Sequence, residues 1–164
     1  MKLFKSSAVA LVVLVLVLAA GSVYGISRKP IEVQYHQWIA DDAGVLTEST
    51  REMLQNYNTQ WDSRYHAAIA VAAVDGTHGW SAKRYASMLG KDWGLGQNDM
   101  LLLVIEGKDY YVLYGDSVNS SITDTQETML RAALDTDYYN GDYDQAALRF
   151  FRAADVVYAQ MSQK

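Results

Sequence analysis

Residues 67–74 read AAIAVAAV and residues 100–105 read MLLLVI. Each is a continuous apolar run of strand length, which is typical of a strand that is covered on both of its faces. The first run ends at Asp75-Gly76, a turn signal. Two such strands predict a small sheet with helices packed on both sides.

Two further strands are predicted around this pair. Apolar residues alternate over residues 31–39, which indicates an extended lead-in or edge strand, and residues 110–114 have strand character. The link 106–109 is short and contains a glycine. It favours an antiparallel hairpin between the strand 100–105 and the strand 110–114.

Four segments have the apolar spacing of helices: one that starts near Thr47, then residues 81–91, 123–134 and 143–161. Ser49 and Glu52 stand at capping-box spacing in the first of them, as Thr123 and Gln126 do in the third. The order β-α-β-α-β-β-α-α predicts an α/β fold, a small mixed sheet sandwiched by helices.

An apolar segment stands at the N-terminus. Lys2 and Lys5 precede residues 8–26, which are uncharged and almost wholly apolar, and Arg28-Lys29 follows. Cationic residues ahead of such a segment resist translocation, so the rest of the chain is expected to be exported. Residues 1–30 are therefore predicted to be a signal peptide or an N-terminal membrane anchor, and residues 31–164 a single extracytoplasmic domain.

The fate of the segment stays open. Its length is close to the about 20 apolar residues that span a hydrocarbon core, which favours an anchor. Small residues at Ala19-Ala20-Gly21-Ser22 and at Gly25 offer a cleavage site, which favours secretion. A helix buried in a soluble protein is the third interpretation. An anchor makes the membrane a partner of the chain through residues 1–30, and both of the first two interpretations place the domain outside the cytoplasm.

Composition excludes several classes of function. The chain has no cysteine, which excludes disulfides, iron–sulfur clusters and thiolate catalysis. Its net charge is −5 and falls to −7 without Lys2 and Lys5, whereas nucleic-acid binding needs a basic face. The three histidines lack the helical spacing of a zinc site. The chain has no acyl-transfer elbow, nucleotide-binding loop or dinucleotide fingerprint, so no organic cofactor is expected.

Carboxylates in loops are the remaining candidate ligands, and they suit a hard cation such as Ca²⁺ or Mg²⁺. If the strands 67–74 and 100–105 are parallel, Asp41 lies at one edge of the sheet, and Asp99 and Asp116 lie at the opposite edge. We predict these three aspartates as metal ligands, in two separate candidate sites. The alternatives are that Asp41 caps a helix or turn, and that Asp99 and Asp116 are solvated loop acids.

Six tyrosines crowd residues 110–143 in the second half of the chain: Tyr110, Tyr111, Tyr114, Tyr138, Tyr139 and Tyr143. A tyrosine has an apolar ring and one polar end, and it is favoured where a surface meets a partner. Core packing accounts for part of the set, because side chains alternate between the faces of a strand. The remainder are candidates for a binding surface.

Several segments, taken in order, resemble one family. Residues 38–47 read WIADDAGVLT, which is similar to the opening signature of TPM domains: an apolar residue, Asp, any residue, Ala-Gly, an apolar pair and a helix-capping Ser or Thr. The family is named for a thylakoid lumen protein, a photosystem II repair protein and a nematode receptor modulator. Five later segments resemble further landmarks of the family: residues 85–96, 101–104, Gly115, 122–124 and 139–143. The chain departs from the pattern at Ser117, where a second glycine is common, and in a shorter loop over residues 97–100.

This resemblance implies two different functions. Some members are described as acid phosphatases, which implies a metal-dependent hydrolase of phosphomonoesters. The other implied role is a non-catalytic module that binds and assists membrane or envelope proteins. Phosphoryl transfer needs cationic groups around the phosphate, and this acidic chain offers few. We therefore predict a membrane-tethered binding or accessory module that uses a divalent cation, with the phosphatase as the alternative.

Overall fold

The computed structural model describes residues 38–163. Residues 1–30 and most of the strand predicted over residues 31–39 lie outside that range. The elements, in chain order, are β1 Ile39–Asp41, α1 Glu48–Tyr65, β2 Ile69–Val74, α2 Ala82–Asp92, β3 Met100–Ile105, β4 Tyr111–Tyr114, α3 Asp116–Ser121, α4 Asp124–Tyr138 and α5 Tyr143–Met161. Among the helices within residues 38–163, none combines the length and the apolarity that a membrane span requires.

The four strands form one mixed sheet in the order β1-β2-β3-β4. β1, β2 and β3 are parallel, and β4 pairs antiparallel with β3. The ends of β1, β2 and β3 at Asp41, Val74 and Ile105 therefore lie together, and we call this the carboxyl edge. The starts of these strands and the end of β4 at Tyr114 form the opposite, amino edge. The predicted mixed α/β sandwich and the β3–β4 hairpin are confirmed.

Both faces of the sheet are covered by helices, as the uninterrupted apolar strands predicted. Tyr85, Ala86 and Leu89 of α2 pack on one face. α1, α4 and α5 cover the other face through large side chains, among them Leu54, Trp61, Leu130, Phe150 and Phe151. The chain steps from β1 to β2 to β3 in one direction, yet α1 and α2 lie on opposite faces. The two crossovers therefore have opposite hands, and one of them departs from the usual right-handed rule.

Of the two predicted capping boxes, one is present in the structure and the other is not. Thr123 and Gln126 form the predicted capping box of α4. The capping box predicted at Ser49 and Glu52 is wrong, because α1 begins at Glu48 and its cap is Thr47, whose hydroxyl accepts from the Thr50 N–H. The helix starts two residues earlier than that pattern implied, so Ser49 already lies inside its first turn.

Candidate functional site

Asp41 is the last residue of β1, at the carboxyl edge. Its Oδ1 accepts from the Val45 N–H at 3.0 Å, and its Oδ2 accepts from the Leu46 N–H at 2.9 Å. Nη1 of Arg51 lies 3.3 Å from Oδ2, and the Asp41 side chain is 2% exposed. Both carboxylate oxygens thus close the turn between β1 and α1, which is the turn-capping role named above as the alternative for Asp41.

Asp99 stands directly before β3, at the amino edge. Its Oδ1 accepts from the Ala68 N–H at 2.8 Å, and its Oδ2 accepts from the Gly96 N–H at 2.7 Å. The residue is 8% exposed, so the interpretation of Asp99 as a solvated loop acid is wrong. Its carboxylate ties the start of β2 to the loop that leads into β3.

Asp116 is exposed at the first turn of the short helix α3. The structure places it at the amino edge with Asp99, as expected, and places Asp41 at the other edge. The link between Asp99 and Asp116 runs through the backbone, where the Gly115 N–H donates to the Asp99 carbonyl at 2.8 Å.

The predicted Ca²⁺ or Mg²⁺ ligands can be compared with this geometry. A cation at Asp41 or Asp99 would have to share oxygens that each already accept from one backbone N–H group. Within residues 38–163, no three His, Cys, Asp or Glu side chains converge in a way that could hold a metal ion. Metal binding by these three aspartates stays a prediction.

A concave surface lies at the carboxyl edge, between the turn that joins β3 to β4 and the turn that joins α4 to α5. We call it the tyrosine groove, and it has a volume of about 670 Å³. Its main lining residues are Lys108, Asp109, Tyr138, Tyr139, Asn140 and Tyr143. Carboxyl edges of parallel strands are common places for ligand crevices.

The tyrosine hydroxyls hold the two turns together. Tyr138 accepts from the Ile105 N–H and donates to the Ile105 carbonyl, each at 3.0 Å. Tyr143 accepts from the Gly107 N–H at 2.9 Å, and Tyr139 donates to Oδ1 of Asp109 at 3.0 Å. The ring of Tyr138 contacts those of Tyr143 and Tyr139 edge-on, with centroid distances of 5.2 Å and 5.6 Å. The groove is therefore pre-formed.

The protonation of these phenols follows from their surroundings. Burial raises the pKa of Tyr138 to about 12. The hydrogen bond to the Asp109 carboxylate raises the pKa of Tyr139, because it stabilises the protonated phenol. Both groups are neutral donors near neutral pH, and neither is poised to act as a phenolate base or nucleophile.

The sequence indicated a surplus of tyrosines but not which of them meet. Tyr111 packs on the α2 face and Tyr114 packs with the opposite core, so both belong to the sheet. Tyr138, Tyr139 and Tyr143 are the members that line one surface, and Tyr139 is 63% exposed. The only local sign in the sequence that these three tyrosines meet was their position on either side of the turn Asn140-Gly141.

Comparison with known proteins agrees with this architecture. A family model described as the TPM domain matches residues 39–157. This chain belongs to the TPM domain family. The match spans the whole sheet and most of α5, so both edges described above are parts of the TPM domain.

Solved structures show the same fold at low sequence identity. The BA42 protein of the psychrophilic bacterium Bizionia argentinensis is 15% identical with a TM-score of 0.62, over 71% of this chain and 83% of that one. The N-terminal domain of a P. gingivalis protein is 16% identical with a TM-score of 0.63, over 75% and 85%. The N-terminal domain of a Corynebacterium glutamicum protein is 14% identical with a TM-score of 0.62, over 79% and 85%. No curated protein matches this TPM domain.

Proposed function

We propose that this chain is an exported TPM domain, tethered to the membrane by residues 1–30, that binds a membrane or envelope protein through the tyrosine groove. The observation that carries the proposal is the groove itself. It is large, it lies at the carboxyl edge, and its tyrosine hydroxyls are already held by the protein's own backbone and by Asp109.

The chemistry of the groove suits a protein partner. Tyrosine is enriched at interfaces because its ring buries much apolar area and its flexibility is low. Tyr139 is 63% exposed, so this ring gains burial when a partner covers it. The fixed hydroxyls reduce the entropy that is lost on binding. Lys108 and Asp109 supply charges of both signs at the rim.

The metal-dependent phosphatase is the alternative. It requires free carboxylates to bind the ion and cationic groups to stabilise the phosphoryl oxygens. Both oxygens of Asp41 and of Asp99 accept from backbone N–H groups instead. A divalent cation is therefore proposed in a structural role, at the exposed Asp116 with its neighbours at the amino edge.

The test is photo-crosslinking of the full chain in its native cell, with benzoylphenylalanine at position 139. The control places the same group at Val156, which is 46% exposed on α5 and lies 13 residues beyond Tyr143. We expect one discrete adduct with a membrane or envelope protein from position 139 and none from position 156. Equal labelling from both positions, or none from either, would overturn the proposal.

A turnover assay separates the two functions. The purified chain is expected not to hydrolyse p-nitrophenyl phosphate with Ca²⁺, with Mg²⁺ or with a chelator. Metal-dependent hydrolysis that disappears in Asp116→Asn would establish the phosphatase instead. Asp116 is the variant of choice because it is exposed, whereas the carboxylates of Asp41 and Asp99 accept from backbone N–H groups.

A further inference from the structure

A second cavity lies at the amino edge, the opposite edge of the sheet from the tyrosine groove. It forms where the end of α1, the short helix α3 and the end of α5 meet, and its volume is about 250 Å³. We call it the serine pocket. Its lining includes Tyr65, Asn98, Ser121, Tyr158, Met161 and Ser162.

The floor of the serine pocket is apolar and its rim is polar. Its apolar surface comes from Tyr65 and Met161, which are half-buried, and Ala67, Val118 and Tyr158 are buried beneath them. The rings of Tyr65 and Tyr158 stack with their centroids 6.0 Å apart and their planes 21° apart. Ser121, Ser162 and Asn98 are exposed at the mouth. None of the lining residues that the structure describes is charged.

Two of the polar groups, Ser162 and Asn98, keep capacity for a ligand after their internal bonds are made. The Tyr158 hydroxyl donates to the Asn98 carbonyl at 3.0 Å and is fixed by that bond. The Ser162 hydroxyl donates to the Ala159 carbonyl at 2.9 Å, which leaves its own oxygen free to accept. The Asn98 amide donates to the His66 carbonyl at 3.3 Å, so its Oδ1 and its second N–H are available.

We propose that the serine pocket binds a single neutral sugar ring. A sugar ring has an apolar C–H face, which matches the half-buried side chains of Tyr65 and Met161, and hydroxyls around its edge, which match serine and asparagine. A charged ligand would lose its hydration without gaining a counter-charge. A purely apolar ligand would cover the serine and amide groups without pairing them. The small volume limits the occupant to one ring.

The test is saturation-transfer NMR on the full chain in phosphocholine micelles, with N-acetylglucosamine as the probe. Cyclohexanol and glucose 6-phosphate are the apolar and charged controls. We expect saturable binding of the neutral sugar, and binding of each control that is weaker by about tenfold or more, the factor that one lost hydrogen-bonded pair produces. Equal binding of the three probes, or no binding of the sugar, would overturn the proposal.

Matched variants locate the site. Ser162→Trp fills the mouth from an exposed position after α5 and is expected to abolish sugar binding. Gln163→Trp introduces the same side chain one residue on, outside the described lining, and should bind as the parent chain does. Binding that survives Ser162→Trp would place the sugar elsewhere and refute the assignment. Both variants leave the tyrosine groove unchanged, so the result is independent of the crosslinking from position 139.

Discussion

At the scale of single residues, Asp99 and Gly115 hold the amino edge together. The Asp99 carboxylate accepts from Ala68 and Gly96, while its carbonyl accepts from the Gly115 N–H. A buried N–H that loses its partner costs about 1–3 kcal/mol, so the aspartate has a structural reason to be there. Gly115 is required for a different reason: a Cβ at this position would overlap the backbone carbonyl oxygens of Gly96 and Gln97.

Substitution of Gly115 by alanine tests this close approach. The overlap is with backbone and cannot be relieved by rotation of a side chain, so Gly115→Ala is expected to lower the free energy of unfolding by about 1–3 kcal/mol. Gly76→Ala is the control, because its nearest contact would be Nζ of Lys108 at 3.8 Å. It should change stability by no more than about 0.5 kcal/mol. Urea unfolding measures both, and equal losses would show that the overlap is not responsible.

At the scale of helices and strands, the strongest patterns in the sequence were the most informative. Met100–Ile105 and Tyr143–Met161 were predicted with the bounds that the structure has, because a long apolar run and a long amphipathic period leave little ambiguity. α3 was not predicted, since residues 116–121 read DSVNSS and contain no strong helix former. Its position depends on Gly115 and Ser117 meeting the backbone of the 96–99 loop.

The candidate site was less accessible to sequence reasoning than the fold. The aspartates were placed at the correct edges because parallel pairing of β2 and β3 determines those edges. Whether their oxygens are free was not readable from the sequence, because that depends on which backbone N–H groups the loops bring near them. The tyrosine groove joins turns that are about 30 residues apart in the chain, so only the packing of α4 and α5 against the sheet creates it.

The anchoring of α4 to β3 can be tested at Tyr138. Tyr138→Phe leaves the N–H and the carbonyl of Ile105 without their partner, and it should lower the free energy of unfolding by about 1–3 kcal/mol near pH 8. Tyr139→Phe is the control, since Tyr139 is 63% exposed and its substitution should cost no more than about 0.5 kcal/mol.

The stabilisation by Tyr138 should also depend on pH. The pKa of Tyr138 is about 12 in the folded chain and near the ordinary value of 10.0 when unfolded. Above about pH 10 the unfolded chain loses the Tyr138 proton, whereas the folded chain keeps it. The contribution of Tyr138 to the free energy of unfolding is therefore complete below about pH 10 and is lost as the pH rises towards 12. The stability difference between the parent chain and Tyr138→Phe should therefore shrink above about pH 10 in urea titrations. A difference that is constant up to about pH 11 would contradict the assignment.

At the scale of the whole molecule, the two edges face opposite ends of the domain. β1 begins at Ile39, so the described part of the chain enters the sheet at its amino edge. The tyrosine groove is at the carboxyl edge. The two edges are separated by the length of a strand, which is roughly 20 Å for the six residues of β2. In the proposed arrangement, a tether at one end leaves the groove at the other end accessible to the extramembrane part of a neighbouring protein.

Removal of residues 1–30 tests the tether without changing the sheet. The shortened chain is expected to keep the parent's urea midpoint and to move from the membrane pellet to the soluble fraction. It should also lose most of the crosslinking from position 139, because tethering raises the effective concentration at a membrane partner. The mass of the full-length chain recovered from the pellet distinguishes a retained anchor from a cleaved signal peptide. A full-length chain that keeps residues 1–30 and still dissolves in the cytosol would contradict export, because a span of about 20 apolar residues that is exposed to water would aggregate unless it were packed inside the protein.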